Sequence, residues 1–97
     1  MTITKEQKEN SLTIYLEGRL DTVTAPMLEK INDELDGITD LTLDFSKLGY
    51  TSSAGLRAIL MLQKRMNQQG KMRLVGVCED IQEVFDMTGF SDILTIE

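Results

Sequence analysis

Ninety-seven residues, 41% of them hydrophobic, supply material for one core and not two, so residues 1–97 are read as a single domain. Ten basic against sixteen acidic side chains, with no His, give a net charge of −6, which disfavours nucleic acid and anionic lipid as partners. One cysteine, Cys78, cannot close an internal disulfide, the polar start Met1-Thr2-Ile3-Thr4-Lys5-Glu6 is not a signal peptide, and no apolar run reaches the roughly 20 residues of a membrane span. A cytoplasmic protein with no membrane association is expected.

Ile3 and its neighbours are read as a first strand, turning at Glu9-Asn10-Ser11 into a second, Leu12 to Glu17. Gly18-Arg19-Leu20-Asp21 ends that strand, and a helix opens close by. Thr24 is the candidate N-cap, Pro26 fits the first turn, and Val23 and Leu28 have the spacing of a hydrophobic staple. Met27, Leu28, Ile31 and Leu35 share one face, and Gly37 supplies the stop.

Leu41-Thr42-Leu43-Asp44-Phe45 alternates as a strand, and Gly49 to Gly55 leads into a second helix that ends near Gly70. At about 100° per residue, Leu56, Ile59, Leu62 and Met66 fall on a core arc. Arg57, Met61, Lys64, Arg65 and Gln68 fall on the opposite arc, a basic strip in an acidic chain. Met72 to Val77 reads as a strand, followed by a helical face of Ile81, Val84, Phe85 and Thr88. Gly89 terminates that helix, Phe90 folds back over it, and Ile93-Leu94-Thr95-Ile96 closes the chain as a short strand. Cys78 is read as an inert packing residue.

The order β-β-α-β-α-β-α-β predicts an α/β protein with right-handed crossovers and some parallel pairing. Functional sites in such sheets sit where strands end and helices begin. Here those places follow Leu16 and Phe45. The second is the unusual one: Tyr50-Thr51-Ser52-Ser53-Ala54-Gly55-Leu56-Arg57 puts three hydroxyl residues ahead of a helix. One of them can simply cap the helix while the others meet solvent. Alternatively, the helix N-terminus is an anion site, where a phosphoserine would place roughly −1.5 to −2 charges. Gly55 would then let a partner approach the first turn closely. Catalysis has little to work with: no His completes a serine triad, no Gly-Lys-Ser/Thr follows a glycine-rich turn, and no His/Cys cluster suits a metal.

From Ile3 to Ile96 the chain resembles the anti-sigma factor antagonists, the single-domain members of the STAS family. The resemblance is carried by Leu43-Asp44-Phe45-Ser46 through Thr51-Ser52-Ser53-Ala54-Gly55-Leu56, by Gly18-Arg19-Leu20-Asp21, by Thr24-Ala25-Pro26, and by Met87-Thr88-Gly89-Phe90. It implies a mixed sheet of about five strands with three or four helices. It also implies a protein that is not an enzyme and carries no cofactor. Unphosphorylated, it would bind an anti-sigma factor that is itself a serine kinase and so release a sigma factor. Phosphorylation would abolish that binding, and a metal-dependent serine phosphatase would restore it.

Anchored on Gly55-Leu56, the implied phosphoacceptor is Ser53, with Ser52 as a competing acceptor. Asp21, Thr22, Thr51, Ser52, Ser53, Ala54, Gly55, Arg57 and Met61 are the expected partner-binding residues. Ser52 stands where the family usually has Asp, and Ala54 where a second Ser or Thr is common. A scaffold that packs into a transporter or signalling assembly without switching, and a small-molecule or nucleotide-binding module, are the alternative readings.

Overall fold

A computed structural model describes every residue from Met1 to Glu97. Four strands form one sheet in the order β1-β2-β3-β4: β1 is Thr2–Lys8, β2 Ser11–Leu20, β3 Asp40–Thr51 and β4 Lys71–Val75. The first pair is an antiparallel hairpin turning at Glu9 and Asn10; β3 runs parallel to both β2 and β4. Three helices, α1 (Ala25–Glu29), α2 (Ser53–Asn67) and α3 (Glu79–Thr88), make the connections and the cover. The mixed α/β expectation holds, with four strands in place of about five. The segment Ile93 to Ile96 forms only one parallel bridge, Leu74 to Ile96, and bonds to Leu74 through the oxygen of Thr95 and the amide of Glu97.

One hydrophobic cluster lies between the sheet and the helices. Leu12, Ile14, Leu16 and Leu20 of β2, Leu41, Leu43, Phe45 and Leu48 of β3, and Met72 and Leu74 of β4 point into it. Helix α2 contributes Leu56, Ile59, Leu62 and Met66, the four residues its periodicity assigns to the core. The other face of the sheet is uncovered and polar: Thr13, Thr42 and Asp44 are half-buried there, and Tyr15 and Arg73 exposed.

Strands β2 and β3 both outrun the alternation visible in the sequence. Tyr15 pairs with Asp44 but Glu17 with Lys47, so β3 advances three residues while β2 advances two; Gly18 pairs with Leu48 but Arg19 with Tyr50. Each extra residue on β3 is a bulge that restarts the inward set out of step. Phe45, Leu48 and Thr51 therefore all face inward at a spacing of three, and β3 reaches Thr51 instead of ending near Phe45. These two insertions carry the end of β3 to the point where α2 begins.

The first helical segment is shorter than its apolar face suggests. Five residues of α1 give way to a 3₁₀ turn over Lys30–Glu34, where Asn32 and Asp33 are poor helix formers. Leu28, Ile31 and Leu35 are still buried. The staple fails: Leu28 is inside, but Val23 is 84% exposed. Thr24 holds the cap position without capping, since its hydroxyl turns back into the loop. At the far end, α3 stops at Gly89, whose φ of 80° is the left-handed geometry that glycine accepts without penalty. Phe90 then stacks on Phe85 with ring centroids 6.5 Å apart.

Candidate functional site

Leu20 and Thr51 are register partners at the carboxyl ends of β2 and β3, so the loops that follow leave the same end of the sheet. The Ser52 amide donates to the Leu20 carbonyl at 2.9 Å, fastening the start of the second loop to the end of β2. Ser52 is extended, with φ −101° and ψ 178°, and its Oγ accepts from the Gly55 amide at 3.4 Å. It is the N-cap of α2. Ser53 follows as the first helical residue, exposed, and its hydroxyl bonds to nothing within the chain. The structure thus divides the two serines, one engaged and one free.

Gly55 is buried, so its lack of a side chain does not serve a visiting partner. A Cβ there would stand 2.5 Å from Thr51 Oγ1, 2.7 Å from Leu20 Cγ and 3.0 Å from the Leu20 carbonyl oxygen. The close approach is internal: glycine lets α2 begin flat against β2 and β3. Thr51 is likewise buried, at 6% exposure, and Ala54 is half-buried against the core. Of the expected partner-facing set, Thr51 and Gly55 shape the turn from beneath, while Thr22, Ser53, Arg57 and Met61 are exposed.

The companion loop is held by its own residues. Asp21 Oδ1 accepts from the amides of Val23 at 3.0 Å and Thr24 at 3.1 Å, an Asx turn. Thr24 Oγ1 donates to the Arg19 carbonyl and accepts from the Asp21 amide, each at 2.8 Å. These bonds stabilise the charged carboxylate. Asp21 is held below the usual carboxylate range by the Thr24 amide first, against some desolvation, with help from the Thr24 hydroxyl, the Val23 amide and nearby Arg19.

Because its folded pKa is depressed, ionised Asp21 adds stability that is present above the ordinary Asp value, about 3.9, and fades as pH falls through the lower folded value. Asp21→Asn is therefore expected to melt below wild type near neutrality, with the gap narrowing as pH falls below that range. Thermal melts of both proteins across pH check it; a gap that is the same at every pH would contradict the assignment.

On α2, Arg57, Met61, Lys64 and Gln68 are exposed as the helical arc predicts. Arg65 is a correction to that arc: its guanidinium donates to the Asn32 carbonyl and to Gln69 Oε1, each at 2.9 Å, and pairs with Asp36. It ties α2 to the segment after α1 and is not a free cation. Leu60, which the arc omitted, lines a shallow hollow with Arg57, Met61 and Lys64. Its place one turn from each cation was legible in the spacing. Arg19 and Tyr50, also omitted, stack at the end of the open sheet face, the guanidinium carbon 4.1 Å from the ring centroid. Cys78 is half-buried and packs against the core.

The family model described as the STAS domain matches residues 2–97. The anti-sigma-B factor antagonist of Bacillus subtilis is 30% identical over 93 residues, which cover 94% of this chain and 85% of that protein. Among solved structures, the fold matches the anti-sigma factor antagonist SpoIIAA in its unphosphorylated form with a TM-score of 0.78 at 19% identity, over 99% of this chain and 87% of that one. The phosphorylated form of SpoIIAA, a Bacillus cell fate determinant, matches with a TM-score of 0.77 at 17% identity, over 99% and 91%. No helix is long and apolar enough to cross a membrane. A protein of this kind is a regulatory binding module and not an enzyme. The chain belongs to the STAS domain family and, within it, to the anti-sigma factor antagonists.

Proposed function

We propose that this antagonist docks through the Ser53 turn to an anti-sigma factor that is a serine kinase, and that phosphate on Ser53 switches the docking off. The observation that carries the reading is the division of labour between the two serines. Ser52 spends its hydroxyl on the helix cap, whereas Ser53 presents a free one at the first position of α2. Ser52 serves as an N-cap comparable to the Asp that the family usually carries at this position.

Phosphate at Ser53 would sit against the unpaired amides and positive dipole end of α2, so the fold tolerates it. Arg57 is four residues on, the spacing at which helical side chains meet, and can pair with the phosphate. That pairing withdraws one cation from the exposed strip while adding negative charge beside it. A partner surface matched to Arg57, Lys64 and Met61 loses on both counts. A metal-dependent serine phosphatase would reset the system, and the cytoplasm suits the unpaired Cys78.

Incubation with the cognate kinase and ATP, followed by peptide mass analysis, should find phosphate on Ser53; phosphate confined to other positions, Ser52 included, sinks the proposal. In binding measurements Ser53→Ala should match the unmodified protein, and Ser53→Asp should bind at least about 10-fold more weakly, the loss of one charge-sensitive contact. Equal affinities for the two variants refute the switch.

A further inference from the structure

The spacing of Val23 and Leu28 suits a staple, yet Val23 is 84% exposed while Leu28 is buried. A lone exposed valine on a loose loop needs no explanation. This one is pinned. Its own amide is bonded to Asp21 Oδ1, the next amide is bonded to the same oxygen, and the Thr24 hydroxyl closes the loop onto the Arg19 carbonyl. The β-branched side chain adds stiffness at χ1. A rigid apolar group held out in water loses little conformational entropy when it is buried by a partner.

The loop that carries it leaves β2 beside the Ser53 turn, since Leu20 pairs with Thr51 and accepts from the Ser52 amide. Tyr50 and Met27, two other exposed apolar groups, are engaged or turned elsewhere, and exposed Met61 lies about two turns along α2 from Ser53. Arg19 covers the ring of Tyr50. Met27 lines a hollow with Ile3, Lys5 and Lys30, on the side of β1. From this placement we infer that Val23 is the apolar anchor of the docking surface, entering a hydrophobic recess on the anti-sigma factor while Thr22 and Ser53 form its polar border. The inference rests on the proposed function and adds to it the specificity-determining contact.

The test uses the unphosphorylated full chain and the serine-kinase anti-sigma factor that phosphorylates it, with affinities from calorimetry. Val23→Ser should weaken binding about 10-fold or more, the scale of leaving one valine unburied. Val23→Ile should bind like wild type, and Met27→Ser should stay within about 2-fold as an apolar surface residue outside the contact. All three variants should melt with wild type, because the positions are surface ones. Val23→Ser binding as tightly as wild type, or weakening no more than Met27→Ser, overturns the anchor while leaving the Ser53 switch standing. Weak Val23→Ser with unaffected Ser53→Asp keeps the anchor and removes the switch. A wild-type protein that does not bind the kinase at all removes both.

Discussion

Phe85→Ala is expected to destabilise the protein by about 3–5 kcal/mol, the range for deleting a fully buried phenylalanine. Phe85 is 0% exposed and is the one side chain through which α3 reaches both neighbouring aromatic rings. Phe45 of β3 lies 6.3 Å away, tilted by 49°, and Phe90 stacks on it from the following turn. Truncation leaves a cavity walled on two sides by those rings. A domain of this size has only about 5–15 kcal/mol in hand, so the loss is a large part of the total. At roughly 4–8 °C per kcal/mol the melting temperature should fall by more than about 12 °C. Urea unfolding with an unchanged m value supplies the free energy. Met87→Ala on the same helix, where the side chain is 80% exposed, should be close to neutral.

Gly55→Ala is expected to cost about 2 kcal/mol, against the direction helix propensity alone would give. Alanine in a helix interior is favoured over glycine by about 1 kcal/mol. Here the new methyl meets Thr51 Oγ1 at 2.5 Å, Leu20 Cγ at 2.7 Å and the Leu20 carbonyl oxygen at 3.0 Å. The hydroxyl can rotate, but the Leu20 side chain is fully buried and its carbonyl is bonded to Ser52. Overpacking of this kind costs about 1–3 kcal/mol, toward the upper end when backbone is involved. The variant should therefore melt lower than wild type, and pairing it with Thr51→Ala should recover part of the loss by removing the nearest obstacle. A more stable Gly55→Ala protein would mean that α2 does not sit this close to β2.

Much of this was legible in the sequence, and the failures have physical causes. Leu56, Ile59, Leu62 and Met66 were assigned to the core from period alone, because an unbroken 15-residue helix keeps its phase. The end of β3 was not legible, because two bulges shift Phe45, Leu48 and Thr51 to a spacing that matches neither strand nor helix. Spacing offers Thr24 as the cap, yet Asp21 organises the loop; both are good local hydrogen-bonding residues, and sequence does not say which oxygen reaches which amide. Arg65 belonged to the basic strip by angle, and only the fold brings Asp36 and the Asn32 carbonyl to it. At the site, the serine pair is conspicuous in the sequence itself. What spacing could not supply was the distinction between a hydroxyl already bonded and one left free.

The bond from the Ser52 amide to Leu20 and the close fit of α2 at the buried Gly55 hold the proposed phosphoacceptor turn in one backbone arrangement. Under the proposed switch, the on and off states are then one shape carrying two surface charges. No free energy of modification is diverted into rearranging the chain, so all of it can appear as a difference in affinity. No refolding step separates the two states either. The speed of the response would be set by how fast the complex falls apart and how fast the kinase and phosphatase turn over.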